Sequence, residues 1–249
     1  MPVAATHPWS GLKIGYLGDS ITDPRNGGGK ITKYWQFLQE WLGITPYVYG
    51  ISGRQWNDIP RQAERLKAEH PDIDGILVFI GTNDFNAGIP IGHWFTQQEE
   101  TVYAARGREK GMVSRMHRTP VLSDSTFCGR INRGILRLKQ LFGDKQIILL
   151  TPLHRGLFNR SESNVQPDEN YQNRCGEYVD AYVQAIKEAG NIWSIPVIDL
   201  NAIAGIQPMV DEQKFYFNDS QTDLLHPGSD GHRRIARTLM QWLLLFPPL

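Results

Sequence analysis

Two short runs built almost wholly from apolar residues, Gly75–Ile80 (GILVFI) and Gln146–Leu150 (QIILL), constrain this chain more than any other feature. A strand with one wet face alternates apolar and polar residues, whereas a run without alternation has both faces covered. Such strands belong to parallel sheets, because the return from one parallel strand to the next crosses a face of the sheet and lays a helix on it.

The remaining pattern agrees. Lys13–Leu17 reads as a first strand ending at Gly18, and Tyr47–Tyr49 as a brief second strand before Gly50. Pro196–Leu200 reads as a last strand. Helical spacing runs over Ile31–Leu42, with Trp35 and Trp41 on the face expected to be buried and Gly43 as its stop. Further helices are predicted over Ile59–Glu69, from Ser125 or Thr126 to about Leu141, over roughly Asn170–Ala189, and from Ser229 to about Leu245. Pro247-Pro248 forbids continuation. Arg155–Glu169 reads as a polar loop. Phe85–Ser125 reads as an insertion with little regular structure in its middle, of the kind that carries function in compact domains. Strands alternating with helices along the whole length predict one α/β domain over residues 1–249. Its architecture is a three-layer sandwich with a five-stranded parallel sheet.

Composition excludes more than it selects. Lys+Arg and Asp+Glu number 26 each, so the chain carries no electrostatic footprint for nucleic acid or an anionic membrane. No apolar run is long enough to span a membrane. Met1 to Pro8 lacks the basic and apolar regions of a signal peptide, though an exported protein whose leader has been removed stays compatible with the sequence. Cys128 and Cys175 exclude a disulfide framework and leave a single bridge open. No histidine pair has metal-ligand spacing, so no metal site and no cofactor are expected. The oligomeric state is open.

Ligands of open α/β sheets bind beyond the carboxyl ends of the strands. Three strand ends in this chain carry small or polar residues: Gly18–Thr22, Gly50–Gly53 and Gly81–Asp84. Ser20 is a candidate nucleophile, or a serine capping its turn. His226 is a candidate base, with Asp223 three residues earlier as its orienter; alternatively both sit in a surface loop. Asn83 is a candidate oxyanion donor with the N–H groups of Ser20 and Gly53, or the start of an Asx turn, with Gly53 a left-handed turn residue. Asp19, Asp84, His154 and Trp56 stand where they can line the same site. The two aspartates fit better as backbone partners, and Trp56 and Trp94 offer flat surfaces for a sugar.

The set Gly18-Asp19-Ser20, Gly53, Asn83 and Asp223-x-x-His226 resembles the SGNH hydrolases, also called the GDSL esterase/lipase family. The resemblance spans about residues 11 to 240 and is closest to bacterial members found beside carbohydrate-degrading enzymes. It implies a flavodoxin-like sheet, Ser20 as nucleophile, His226 as base, Asp223 as orienter, and an oxyanion hole from Ser20, Gly53 and Asn83. It also implies a small-molecule or glycan ester as substrate, with acetyl or another small acyl group removed. A longer-chain lipase or thioesterase, and an inactive glycan-binding protein of the same fold, are the alternatives. Two departures from the family pattern remain: Pro24 with Asn26-Gly27-Gly28-Gly29 after the nucleophile, which gates or merely connects, and the long Phe85–Ser125 excursion, which shapes a pocket or a subunit contact.

Overall fold

The structure, a computed structural model, describes residues 7–248. Residues 1–6, on which most of the leader reading rests, lie outside the described residues. The strands are β1 Lys13–Gly18, β2 Thr45–Val48, β3 Gly75–Phe79, β4 Phe95–Arg106, β5 Glu109–Pro120, β6 Gln146–Leu150, β7 Phe158–Ser161, β8 Asn164–Gln166, β9 Val197–Ile198, β10 Phe217–Asp219 and β11 Asp223–Pro227. The α-helices are α1 Tyr34–Leu42, α2 Ile59–Glu69, α3 Thr82–Asn86, α4 Phe127–Leu141, α5 Val179–Trp193, α6 Leu200–Ile203 and α7 Ser229–Trp242.

The predicted five-stranded parallel sheet is present, in the order β2-β1-β3-β6-β9. Strand alternation divides its apolar residues between two cores. Leu17, Ile76, Val78, Ile147 and Leu149 face one core, closed by residues of α2, α4 and α5. Ile14, Tyr16, Leu77, Phe79, Ile148 and Leu150 face the other, closed by α1 and α7. The chain steps outward from β1 to β2 and then crosses back to β3. The crevice at the carboxyl ends of β1 and β3 is therefore the topological switch point where such sheets bind ligands.

Several expectations need correction. Phe85–Ser125 is not irregular: β4 and β5 pair over twelve residues each, from Phe95↔Pro120 to Arg106↔Glu109. Nearly every residue of this ribbon is exposed, so neither strand carries the alternation that burial would impose. The Arg155–Glu169 loop contains the β7–β8 hairpin. The helix expected from Asn170 begins only at Val179, because 170–178 is held in turns around the Asn173 side chain, whose Oδ1 accepts from the Cys175 and Glu177 N–H groups. The first helix starts at Tyr34 rather than Ile31, and the strand expected last, at Pro196–Leu200, shortens to two residues and is followed by β10 and β11. Trp35 and Trp41 are only partly buried; Tyr34, Leu38 and Leu42 form the inner face of α1. Cys128 and Cys175 are free thiols.

Candidate active site

Ser20 sits on a tight turn directly after β1. Two neighbouring N–H groups hold the turn by donating to the Asp19 carbonyl, from Thr22 at 3.2 Å and Asp23 at 2.9 Å. The Ile21 N–H donates to Asp19 Oδ1 at 3.0 Å. The entrance to the turn admits no side chain: a Cβ on Gly18 would lie 2.4 Å from the Phe79 carbonyl oxygen. Strand and turn thus fix the serine at the rim of the sheet.

Asp223 and His226 are on a strand, not in a surface loop, and both are buried. Residues three apart on a regular strand point to opposite faces. Here the pairing with β10 shifts register, so three residues of β11 between Asp223 and Pro227 oppose a single residue of β10. This bulge bends the strand and turns both side chains to one side. The His226 N–H donates to Asp223 Oδ1 at 3.0 Å, and His226 Nδ1 lies 2.9 Å from the same oxygen. A carboxylate only accepts, so Nδ1 carries the proton and Nε2 is left as an acceptor. Ser20 Oγ lies 3.0 Å from that Nε2. The Phe158 ring meets the imidazole edge-on at 5.3 Å and limits its rotation.

Burial works against the charge of Asp223. Hydrogen bonds from His226 and from Asn218 Nδ2, the latter at 2.9 Å, outweigh it and hold the carboxyl below its ordinary range. Hydroxyl, imidazole and ionised carboxylate in this order form the arrangement that serine acyl transfer requires.

The candidate oxyanion donors flank the serine. Residues 51–54 form a turn closed by the Arg54 N–H donating to the Ile51 carbonyl at 3.2 Å, with Gly53 at φ 78 in the position that favours glycine. Asp23 ties this turn to the nucleophile turn: its Oδ2 accepts from the N–H of Ser52 at 2.8 Å and from its hydroxyl at 3.0 Å. Burial opposes the Asp23 charge, but bonds from Arg25 and Ser52 prevail and bring its pKa down to about 2. Among the described residues, neither the Ser20 N–H nor the Gly53 N–H has a hydrogen-bond acceptor. Asn83 Nδ2 donates one proton to the Arg54 carbonyl at 3.0 Å and keeps the other. Gln55 Nε2 donates to the Asn83 carbonyl at 3.1 Å and fixes the residue from behind.

The four remaining candidates fare differently. Trp56 is fully buried in the core against Gly134 and presents no surface to a sugar. An aromatic residue following a strand end carries no mark of which way its ring turns. Trp94 is partly buried, and its Nε1 donates to Glu188. Asp84 is also fully buried: it accepts from the Trp56 N–H and pairs with Arg130 at 2.9 Å, while burial lifts its pKa to about 6. It braces the start of α3, which carries Asn83, rather than lining a cavity. Burial and the neighbouring Asp84 raise Asp19 to about 7, against the opposing pull of its Ile21 hydrogen bond and Lys33. His154 is half-buried and bound to Glu169 at 2.7 Å, which raises its pKa; it makes no hydrogen bond to Ser20 or His226.

Besides Arg130, two further buried cations among the described residues carry no mark in the sequence. Lys33, 1 % exposed, places its ammonium 3.4 Å from the Ser20 carbonyl oxygen and 3.5 Å from Asn26 Oδ1. Burial lowers its pKa to about 8, although Asp23, Asp19 and Asp223 all favour its charge. Arg155 donates to Thr82 Oγ1 at 3.2 Å and to Gln166 Oε1 at 2.8 Å. A lysine at a helix start and an arginine in a polar segment both read as solvated, so only contacts reveal them. No group of three metal-ligating side chains occurs among the described residues, and no helix there is long and apolar enough to cross a membrane.

Comparison with known proteins gives the family and the fold. The sequence profile described as GDSL-like Lipase/Acylhydrolase family matches residues 16–234. Among solved structures, a protein from Lactobacillus plantarum is similar at a TM-score of 0.71 and 23% identity, over 95% of this chain and 98% of that one. A possible lipase from Chitinophaga pinensis is similar at 0.65 and 19% identity, over 93% and 97%. A catalytic mutant of Axe2, an acetylxylan esterase from Geobacillus stearothermophilus, is similar at 0.54 and 19% identity, over 93% and 94%. At these identities the likeness is one of fold. No curated protein matches the sequence.

Proposed function

The chain belongs to the GDSL-like lipase/acylhydrolase family, and from that premise we propose that it is a serine esterase removing small acyl groups, acetyl foremost, from a carbohydrate. The observation that carries the reading is the unbroken line from Ser20 Oγ through the His226 imidazole to the Asp223 carboxylate.

Ser20 Oγ attacks the ester carbonyl carbon while its proton passes to His226 Nε2. The new oxyanion accepts from the Ser20 and Gly53 N–H groups and the second amide proton of Asn83. The tetrahedral species collapses; the C–O bond to the alcohol breaks, and His226 hands its proton to the departing oxygen. Water then attacks the acyl-enzyme with His226 again as base. Release of the acid returns the proton to Ser20. Asp223 stays ionised throughout and stabilises the imidazolium.

The acetyl and carbohydrate parts of the reading are supported by the likeness to an acetylxylan esterase and by the polar surroundings of the site. A longer-chain lipase or thioesterase would gain about 0.8 kcal/mol for each methylene laid on apolar surface. Hydrolysis of p-nitrophenyl esters from acetate to decanoate tests the acyl length and the nucleophile. The acetate should be preferred, and Ser20→Ala should lower its turnover by about 10⁴-fold or more. Wild-type turnover in Ser20→Ala would remove Ser20 as nucleophile, and a maximum at decanoate would favour the lipase.

A further inference from the structure

A cleft of about 430 Å³, lined by none of Ser20, Asp223 and His226, is tied to their surroundings through two of its walls. Its walls are the end of α3, the β7–β8 hairpin and the segment 167–174. Strand pairing gives its distance from the chemistry. Gln166 in the cleft wall pairs with Phe158, the residue whose ring meets His226. The strand bearing that wall therefore runs one strand spacing, about 4.8 Å, from the strand whose ring meets His226. Asn86 in the opposite wall stands one helical turn beyond Asn83. Arg155 clamps the two walls together through Thr82 and Gln166. The cleft thus lies where the alcohol half of an ester bound at Ser20 has room to extend.

Its lining selects among alcohols. The side chains of Asn86, Tyr171 and Arg174 line it and make no hydrogen bond to any described residue. Most of the remaining wall is carboxamide and hydroxyl. Its charged residues are Asp168 and Arg174, one of each sign, so an anionic ligand meets repulsion as well as attraction. An alkyl chain would desolvate these polar groups without pairing them. The Tyr171 side chain, on a residue 62 % exposed, offers a flat apolar face with a polar tip. A pyranose ring presents complementary chemistry: hydroxyls around its edge and C–H groups on its faces.

We propose that this cleft seats the sugar ring of the ester's alcohol half, with Tyr171 against a C–H face and Asn86 and Arg174 on its hydroxyls. The proposal rests on the reading of Ser20 given above and adds to it the place that recognises the carbohydrate. Saturation-transfer NMR on the Ser20→Ala protein with acetylated methyl glucoside tests it without requiring turnover. Transfer to the ring C–H protons is expected. It should fall at least fivefold when Tyr171→Ala or Arg174→Ala is added, and survive with Tyr171→Phe, which keeps the ring. Tyr171 is exposed, so these changes leave the core untouched. Equal transfer in all variants, or none in Ser20→Ala itself, would overturn the cleft assignment. Loss of p-nitrophenyl acetate hydrolysis in Ser20→Ala is the separate readout of the nucleophile. If that loss occurs while the sugar result fails, only the cleft is wrong; if the activity persists, the nucleophile reading is wrong whatever the sugar does.

Discussion

The Lys33 ammonium donates to the carbonyl oxygen of Ser20 at 3.4 Å from beneath the nucleophile turn. Its second contact, Asn26 Oδ1, lies at the head of the glycine-rich stretch 27–29. One buried charge therefore links the nucleophile to the loop before α1 and sits among Asp19, Asp23 and Asp223.

Lys33→Met should consequently lower kcat on p-nitrophenyl acetate with little change in KM. A hydrogen bond to a charged group contributes about 1.5–3 kcal/mol, which corresponds to roughly 10- to 150-fold. Steady-state kinetics check this. A kcat within twofold of the parent would show that the turn holds Ser20 without the ammonium.

Asp19 should make stability fall as pH rises. Its folded pKa is raised from the ordinary 3.8 to about 7, so between those values the folded state binds more protons than the unfolded chain. Stability supplied by the protonated form is then complete below about pH 4 and lost as pH climbs through 7. Asp19→Asn keeps the acceptor for the Ile21 N–H and removes the titration. Melting temperatures of parent and variant should therefore diverge between pH 5 and 8, with the variant gaining. Parallel curves would show that Asp19 keeps its ordinary pKa.

Asn83→Ala should reduce kcat by about 10²- to 10³-fold, the usual cost of one oxyanion donor. The backbone around it stays braced by Gln55 and Asp84, so the melting temperature should move by a few degrees at most. An unchanged kcat would remove Asn83 from the hole.

Gly18→Ala should damage the fold before it damages the chemistry. Its Cβ would meet a carbonyl oxygen of the adjacent central strand, which has no rotamer to change. About 3 kcal/mol of strain corresponds to a loss of roughly 6–12 °C in Tm for a chain of this size. Thermal unfolding at constant pH measures it.

What was legible in the sequence follows from what burial writes into it. The two runs at Gly75 and Gln146 lie buried on both faces, and their strands appear where the composition demands. Helix α2 runs over Ile59–Glu69, as its spacing predicts, because an amphipathic stripe is a periodic record of one covered face. The β4–β5 ribbon left no such record: Thr96, Gln97, Gln98, Glu99 and Glu100 are exposed in succession, and the strands hold each other by backbone pairing and by exposed side-chain contacts such as Glu100–His117 and Phe95–Arg118. The site divides in the same way. Ser20, Asp223 and His226 are residue types whose chemistry announces them. Lys33 and Arg155 act by being buried, and no local pattern foretells a buried cation. Trp56 fails for the opposite reason, since an aromatic ring suits a core as well as a surface.

The hydrogen bond from Ser20 to His226 joins residues separated by 206 positions. The parallel sheet is complete at Ile198, whereas the base stands on a strand that forms after it in the chain. Contacts between such distant segments close late, because the entropy of the intervening loop must be overcome first. In chain order, all five strands of the parallel sheet precede the strand that carries His226. On the proposed reading of His226 as base, hydrolysis needs β11 in place, so activity also reports that this distant segment has docked.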